Sequence, residues 1–407
     1  MAWIGAGRRQ VCTSRGPGCR PWRRGSIRTQ SSNADHDEPG IAGRVRVLIA
    51  SPLPPPVGGI STWTEEVRAS RLPRSFAVEI FDTSWREDGV RPRSRWRADR
   101  AWRSIGQLVR YQRAVRTFRP RIVHVSSSYH WGFVRDAATI ALARVAGARV
   151  VLQLHGGDFP EFRARLGRFG SGLVDRVLRA CDRVLVLESK SERALAAIVG
   201  PGRVCRTINA TEVPSERPEP ARGAEAPCQI LYAGAILEAK GILDLLAAFD
   251  GVRDASLTLV GPIDPGFAPK LHGAAAVASG RVRVLPERPR RQILELLREA
   301  DIVVIPSHRE GLPLALIEAM AAGRAIIATA VGAIPEIVRD REEARLVPAH
   351  DPSALRRALQ DLVDAPAERD ALGTRAHACA KECFSRESLE QQLGTIWREL
   401  ASDGAAR

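Results

Sequence analysis

Long hydrophobic runs are missing from this sequence. No uninterrupted apolar stretch among its 407 residues approaches the ~20 that a helix needs to cross a bilayer. The N-terminus carries positive charge but no apolar segment, so it does not have the pattern of a secretory signal. We therefore expect a cytoplasmic protein that does not span a membrane.

Paired cysteines are also lacking. The chain has seven cysteines, an odd number. Only Cys379 and Cys383 are close together in a region that we expect to fold, and no second pair completes a zinc site with them. We expect all seven to be reduced thiols, as in a cytosolic protein.

Positive charge, in contrast, is abundant. The net charge is +15 and the pI about 10.5, so the surface should attract polyanions such as nucleic acid, anionic lipid or phosphorylated substrates. Arginines crowd residues 8–28 and 91–121. The stretch 93–119 is predicted to be a basic crossover helix, and its tryptophans also suit docking to an anionic membrane surface.

Short apolar runs alternate with amphipathic stretches along most of the chain, which predicts an α/β fold with two doubly wound, Rossmann-like domains facing each other. Such sheets bind ligands beyond the carboxyl ends of their strands, so the site should lie in the cleft. The predicted division is a disordered basic tail (1–43), a first domain (44–213), a linker (214–227), a second domain (228–385) and a C-terminal segment (386–407).

Two carboxylates stand eight positions apart in IPSHREGLPLALIEAMAAGRAIIAT, residues 305–329. We predict a strand, a turn that holds Glu310, and a helix that has Pro313 in its first turn and contains Glu318. Both carboxylates can then face one ligand, with one of them accepting vicinal hydroxyls such as those of a ribose. The N–H groups at the helix start favour an anion such as phosphate, and they belong to Gly311, Leu312 and Leu314.

Three other stretches combine glycines with a strand end or a helix start. Gly58 and Gly59 precede a helix, where bare backbone can approach a diphosphate or simply make a turn. His155 ends a predicted strand at the cleft, and it is either structural or in contact with ligand. Lys240 starts a helix, where it is solvated or neutralises a phosphate.

Together these residues resemble a known family. The motif S-x-x-E-G-x-P-x-x-x-x-E-A-M-A-x-G (307–323), followed by A-x-x-A-T-x-V-G-x-I-P-E (325–336) and L-V-P (346–348), is similar to that of the family 4 retaining glycosyltransferases, which have the GT-B fold. The glycine pair, the His-Gly segment and Lys240-Gly241 occur in matching order. The likeness covers residues 44–400, roughly.

The resemblance implies transfer of a sugar from a nucleotide diphosphate sugar to a saccharide or lipid-linked acceptor, with retention of configuration at the anomeric carbon. It implies that the reaction needs neither a catalytic metal nor a cofactor. It implies an enzyme of polysaccharide or glycolipid synthesis, cytoplasmic or peripheral on the inner face of the plasma membrane. It also implies that the last helix packs back on the first domain, which the spacing of apolar residues in 386–401 suits.

The resemblance also implies roles for individual residues. Glu310 would contact the donor sugar, support positive charge there and act in catalysis together with His155 and Lys240, and Lys240 would stabilise the diphosphate. Glu318 would hold the ribose. The remaining donor-binding residues would supply backbone or the base-binding loop, and they are Gly58, Gly59, Gly234, Pro286, Glu287, Gly311, Leu312, Pro313 and Leu314.

Some positions depart from the family pattern. Ala235 follows Gly234 where many members have Arg, so either Lys240 acts alone, or Arg309 substitutes, or the donor binds more weakly. Ala333, Arg341 and Ala344 stand where glycines are common, which leaves the local loop geometry open.

Two other functions remain as alternatives. A nucleotide-sugar epimerase on the same fold would release product without an acceptor. A basic nucleic-acid-binding protein would explain the charge, but the arginines lack an RNP-type or helix-turn-helix frame, so we expect no nucleic-acid partner.

Overall fold

The structure is a computed structural model that describes residues 43–55, 58–84, 98–128, 132–219, 227–274, 277 and 280–403, with side chains in the 98–128 range described from residue 104 onwards. The predicted tail lies outside the described residues except for Gly43, and so do Trp96, the side chain of Trp102 and linker residues 220–226.

The first half of the chain forms a six-stranded parallel sheet in the order β2-β1-β3-β4-β5-β6. Its central strands are apolar and buried because helices cover both faces of the sheet. The strands are β1 Arg46–Ser51, β2 Ala77–Asp82, β3 Ile122–Ser127, β4 Arg149–Leu154, β5 Arg183–Val186 and β6 Val204–Arg206.

The second half forms another six-stranded parallel sheet, in the order β12-β11-β10-β7-β8-β9. Its strands are β7 Cys228–Ala233, β8 Ala255–Val260, β9 Val282–Leu285, β10 Ile302–Ile305, β11 Ala325–Thr329 and β12 Arg345–Val347.

Helices connect successive strands of each sheet, and three more follow the last strand. In chain order they are α1 Gly59–Ala69, α2 Leu72–Ser75, α3 Ala98–Phe118, α4 Gly132–Val145, α5 Phe159–Arg165, α6 Gly167–Ala180, α7 Ser189–Val199, α8 Ile242–Phe249, α9 Ala268–His272, α10 Arg290–Glu299, α11 Leu314–Ala321, α12 Ile334–Ile337, α13 Pro352–Asp364, α14 Pro366–Cys383 and α15 Arg386–Ser402. None of the helices in the described part combines the length and apolar content needed to cross a bilayer.

The last helix, α15, follows the second sheet in sequence but contacts α1 and β3 of the first half. Its Trp397 is fully buried, packs edge-on against Phe76 at 5.2 Å between ring centroids, and donates from Nε1 to Nδ1 of His124 at 3.4 Å. Two doubly wound sheets and this returning helix confirm the predicted fold class.

The described part of the predicted linker is attached to the second half. Lys381 Nζ donates to the carbonyl of Ser215 at 2.9 Å, and Arg217 Nε donates to the carbonyl of Gly323 at 3.1 Å. The His377 ring donates to the carbonyl of Pro214 at 3.2 Å. Residues 214–217 therefore run along α14 and the end of α11, and the predicted domain boundaries stay predictions.

Candidate functional site

The strand–turn–helix unit around the two glutamates forms as expected, with one correction. Strand β10 ends at Ile305 and α11 begins at Leu314, so Glu310 lies in the turn and Glu318 inside the helix. Pro313 is not in the first helical turn. It is the N-cap residue, since its ring fixes φ at −68° but its ψ of 126° is extended.

Glu310, which follows β10, is paired with a lysine that follows the neighbouring strand β7. Lys240 Nζ donates to Oε1 of Glu310 at 2.6 Å, and the Ser307 hydroxyl donates to the same oxygen at 2.7 Å. The Lys240 side chain is 30% exposed and that of Glu310 11%, so the cation remains accessible while the carboxylate is largely enclosed. The pair can bind an anion on the lysine side.

A glycine holds Lys240 in this position. Lys240 ends a short 3-10 turn, and Gly241 follows with φ +66° as the N-cap residue of α8. A Cβ on Gly241 would lie 1.9 Å from the carbonyl oxygen of Pro306, so only glycine fits here without a backbone shift. The His308 N–H donates to the carbonyl of Ala239 at 3.1 Å and ties the same two segments together.

Glu318 belongs to a second, more deeply buried group of charges. Arg290 Nε donates to its Oε1 at 3.1 Å, and the same guanidinium contacts Glu66 of α1 and donates to the Thr211 hydroxyl at 2.9 Å. Arg386 Nε also donates to Glu66, at 3.0 Å. The group joins α1, α10, α11 and α15, and we call Glu66, Thr211, Arg290, Glu318 and Arg386 the buried charge cluster.

Burial and the neighbouring charges act against each other in this cluster. It raises the pKa of Glu318, and the Arg290 charge only partly opposes it. For Arg290 burial works against the charge, but Glu318 and Glu66 outweigh it, so its pKa is raised. Glu310 and Glu318 therefore do not share a partner in this structure, since each carboxylate has its own cation.

His155 follows β4 and is half-buried against Trp63, with ring centroids 5.2 Å apart. Burial, reinforced by His124, lowers its pKa to about 3, so the ring is neutral at physiological pH. Its buried Nε2 has no hydrogen-bond partner among the described residues. A neutral imidazole with one unused nitrogen can contact a ligand hydroxyl.

The histidine segment touches the turn that holds Glu310. A Cβ on Gly157 would lie 2.6 Å from the carbonyl oxygen of Glu310 and 3.1 Å from Cα of Gly311. Asn209 Nδ2 donates to the carbonyl of Leu312 at 2.8 Å. The structure thus brings the carboxyl end of β4 together with the turn after β10.

The other predicted donor-binding residues lie at strand ends, at helix starts and in a connecting loop. Gly58 is the N-cap residue of α1, and both Gly58 and Gly59 are exposed. A Cβ added to Gly59 would meet no described atom within 4 Å. Gly234 follows β7 with φ +156°. Pro286 and Glu287 are exposed in the loop between β9 and α10. The structure places Leu314 at the first position of α11.

The positions that depart from the family pattern differ in their backbone conformation. Ala333 has φ −80°, which any residue adopts, and its N–H donates to the carbonyl of Gly311 at 2.9 Å. The neighbouring Gly332 has φ +57°, and a Cβ there would lie 2.0 Å from the carbonyl of Glu310. Arg341 takes a left-handed conformation, with φ +62°, without being glycine.

Sequence reasoning missed the residues that join the two halves. These include Glu66 and Arg290, and also Glu336, which accepts from the Ser189 hydroxyl at 2.6 Å and from Arg206 at 2.9 Å. One signal was available. Glu66 lies three positions after Trp63 on the buried face of α1, where a carboxylate needs a partner.

Comparison with family models identifies the class. The model "Glycosyltransferase Family 4" matches residues 57–209, and the model "Glycosyl transferases group 1" matches residues 227–365. The first match covers β2 to β6 of the first sheet, the second covers the whole second sheet, and together they span more than half of the chain. The chain therefore belongs to the family 4 and group 1 glycosyltransferases, as the motifs indicated.

Curated relatives carry the same kind of name. A D-inositol 3-phosphate glycosyltransferase of Streptomyces avermitilis is 31% identical over 306 residues, which is 67% of this chain and 61% of that protein. An MMP alpha-(1->4)-mannosyltransferase of Mycolicibacterium hassiacum is 34% identical over 181 residues, 44% of each chain. The chain thus matches less than two thirds of the length of these relatives.

Solved structures share the fold. Sucrose-phosphate synthase from Thermosynechococcus elongatus superposes with a TM-score of 0.70 at 19% identity, covering 88% of this chain and 100% of that one. HepE of Anabaena in complex with UDP-glucose gives 0.68 at 16% identity, covering 87% and 99%. At these identities the likeness shows the GT-B fold alone.

Proposed function

We propose that the protein transfers a sugar from a nucleotide diphosphate sugar to a saccharide or lipid-linked acceptor, with retention of the anomeric configuration. The observation that carries the proposal is the Lys240–Glu310 pair, which lies at the carboxyl edge of the second sheet and against the His155–Gly157 segment of the first half. Parallel sheets of this type bind nucleotides at that edge.

In the proposed reaction the bond between the anomeric carbon and the donor diphosphate breaks, the acceptor oxygen bonds to the anomeric carbon, and the proton of the acceptor hydroxyl passes to the departing diphosphate. Negative charge develops on the departing diphosphate, and the partly exposed ammonium of Lys240 neutralises it. Glu310 supports positive charge on the sugar. His155, neutral because burial lowers its pKa to about 3, accepts or donates a hydrogen bond to a sugar hydroxyl.

The proposed reaction uses Lys240 and backbone N–H groups where other transferases use a metal ion. Gly59 is exposed, with no described atom within 4 Å of an added Cβ, and Leu314 is the first residue of α11, three positions after Gly311. We propose that the N–H groups of these residues approach the phosphate oxygens. No metal need take part in the transfer step. Because Ala235 stands where many members have an arginine, we propose that the phosphate charge is neutralised by Lys240 alone or together with Arg309, which is exposed.

Ribose binding by Glu318 requires a change at the buried charge cluster. Glu318 is paired with Arg290, and a ribose hydroxyl must share this carboxylate or displace the guanidinium. Arg290 is the first residue of α10, and it lies four residues after Pro286 of the loop proposed for the base. We propose that donor binding moves this loop, and that the donor is a nucleoside diphosphate sugar, the class of ligand with which the Anabaena protein of the same fold was solved.

The proposed acceptor side includes a surface for anionic lipid. At the start of α6 three apolar side chains are exposed to solvent: Leu166, the N-cap residue, is 40% exposed, and Phe169 and Leu173 on the helix are 98% and 64% exposed. Arg165 and Arg168 are exposed beside them. Apolar side chains flanked by arginines suit peripheral binding at an anionic membrane surface, on the cytoplasmic face. On α3, Ile105 and Val109 are exposed as well.

A donor-hydrolysis screen tests the proposal, because slow cleavage of the donor needs no acceptor. UDP-, GDP- and ADP-sugars are incubated with the wild type and with Glu310→Gln, with and without EDTA. We expect one donor class to be cleaved by the wild type only, equally in EDTA, with release of sugar and nucleoside diphosphate.

Three other outcomes would contradict the proposal. Cleavage that requires an added metal ion would show that Lys240 does not neutralise the departing diphosphate in place of a metal. A converted nucleotide sugar, still intact, would indicate an epimerase. Salt-sensitive retention on DNA together with no donor binding would indicate a nucleic-acid-binding protein.

A further inference from the structure

Asp244, His308 and His350 form a group of ligand-type side chains that the proposed reaction does not use. Asp244 is in the first turn of α8, His308 follows β10, and His350 precedes α13. One oxygen or nitrogen from each lies within 4.8 Å of the other two. In the described part of the chain no other three His, Cys, Asp or Glu side chains come together in this way.

The three side chains are already in mutual contact. His308 Nε2 lies 2.8 Å from Oδ2 of Asp244. The rings of His308 and His350 stack with centroids 3.7 Å apart and an interplanar angle of 34°. Asp244 and His308 are partly exposed and His350 is exposed, so an ion can enter from solvent. Their ligand atoms, all within 4.8 Å of one another, are close enough for one ion to contact all three.

The backbone around the group is well fixed. Gly241, packed on the carbonyl of Pro306, and the hydrogen bond from His308 N–H to Ala239 hold the start of α8 against the turn after β10. Asp351, directly after His350, caps α13 by accepting from the Ala354 N–H at 2.8 Å. Ligands held by fixed elements lose little conformational entropy when an ion binds.

The donor set selects the kind of ion. Two imidazole nitrogens and one carboxylate oxygen suit Zn²⁺ and similar transition-metal ions, whereas Mg²⁺ and Ca²⁺ prefer oxygen ligands alone. Three protein ligands leave at least one position for water. We propose that Asp244, His308 and His350 bind one divalent transition-metal ion of the zinc type, outside the transfer reaction.

A bound ion would stabilise the fold locally. It would link α8, the turn that carries Glu310 and the segment before α13, three parts that are far apart in sequence. Because it binds the folded state, Zn²⁺ should raise the melting temperature in proportion to the logarithm of its concentration. The proposal does not depend on sugar transfer, since metal binding is measured directly.

The test is equilibrium binding of Zn²⁺ to EDTA-treated, then desalted, protein, together with the visible spectrum of the Co²⁺-loaded form. The variants are His350→Asn, chosen because Asn tolerates the φ of +60° at this position, and Asp244→Asn. His272→Asn removes another exposed histidine and is the matched control. Mg²⁺ is the comparison ion.

We expect one Zn²⁺ per chain in the wild type and in His272→Asn, no saturable Mg²⁺ binding at the same concentrations, and affinity at least ~10-fold lower in both site variants. The Co²⁺ spectrum should show ligation by nitrogen and oxygen, without a thiolate band. No saturable Zn²⁺ binding by the wild type would overturn the proposal. So would wild-type affinity in either site variant, which would place the ion elsewhere, for example on cysteines.

Discussion

Lys240 Nζ lies 2.6 Å from Oε1 of Glu310, although the two residues are 70 positions apart in the chain. The contact depends on Gly241, which brings the start of α8 against the carbonyl of Pro306, and on the turn after β10. The ammonium is thereby held at the carboxyl edge of the second sheet, where a diphosphate would bind.

Replacing Lys240 should remove most of the activity without unfolding the protein. We expect Lys240→Met to lower kcat for donor cleavage by about a hundredfold to a thousandfold, because the departing diphosphate loses the cation that neutralises it. Lys270→Met is the matched control, since Lys270 pairs with Glu238 at an exposed site. Steady-state kinetics measure both, and near wild-type cleavage by Lys240→Met would refute the role.

Gly241→Ala should destabilise the fold more than an equivalent change elsewhere. The new Cβ would lie 1.9 Å from the Pro306 carbonyl in a residue with φ +66°, so we expect a loss of about 2–5 kcal/mol. Gly280→Ala has a similar φ of +74° with no described atom within 4 Å of the new Cβ, and should lose only about 1–2 kcal/mol. Urea unfolding compares them, and equal losses would show that the contact is unimportant.

Arg290 should matter for stability through the carboxylates that it contacts. Arg290→Met leaves Glu318 without its arginine and Glu66 with Arg386 alone, and we expect a loss of about 3 kcal/mol in the free energy of unfolding. Arg291→Met, at the next and exposed position, should change it by about 0.5 kcal/mol or less. Urea unfolding of the two variants measures the difference in their loss of stability. Equal losses would mean that water readily solvates the carboxylates of the buried charge cluster.

Acid should destabilise the protein through His124. Burial lowers its pKa to about 4, whereas an unfolded histidine titrates near ~6.5. Between these values the unfolded state binds more protons, so stability falls as pH falls, by about 2 kcal/mol for this group from pH 6.5 to 5. His155 contributes in the same direction.

The pH effect is assigned by comparing variants. His124→Asn should lose less stability than the wild type between pH 6.5 and 5, because it has no ring to protonate, while His272→Asn should behave as the wild type. Urea unfolding at both pH values gives the slopes. A slope that does not change in His124→Asn would assign the acid sensitivity to other groups.

The fold and the individual glutamates could be predicted because they leave local signals. Apolar runs mark the buried strands, and the turn at Glu310 lies between a strand end and a proline. The contacts that bring the two halves together leave no such signal. Arg290 and Glu66 are 224 positions apart, and nothing in either local sequence says that the two side chains meet.

The loop after β11 shows the same limit at the scale of one residue. Alanine at 333 looked like the unusual position, but its φ of −80° suits any residue. The conformational demand falls on Gly332, whose Cβ would meet the Glu310 carbonyl from across the turn. A tertiary contact, not the local pattern, decides which residue must be glycine.

Calorimetric titration of nucleotides tests the central claim, that Lys240 binds the diphosphate of the donor, most directly. UDP, GDP and ADP and the corresponding nucleosides are titrated into the wild type and Lys240→Met in the presence of EDTA. We predict that one diphosphate binds the wild type at least ~10-fold more tightly than its nucleoside, and that Lys240→Met loses most of this difference. Equal binding of diphosphate and nucleoside, or an unchanged difference in Lys240→Met, would contradict the account.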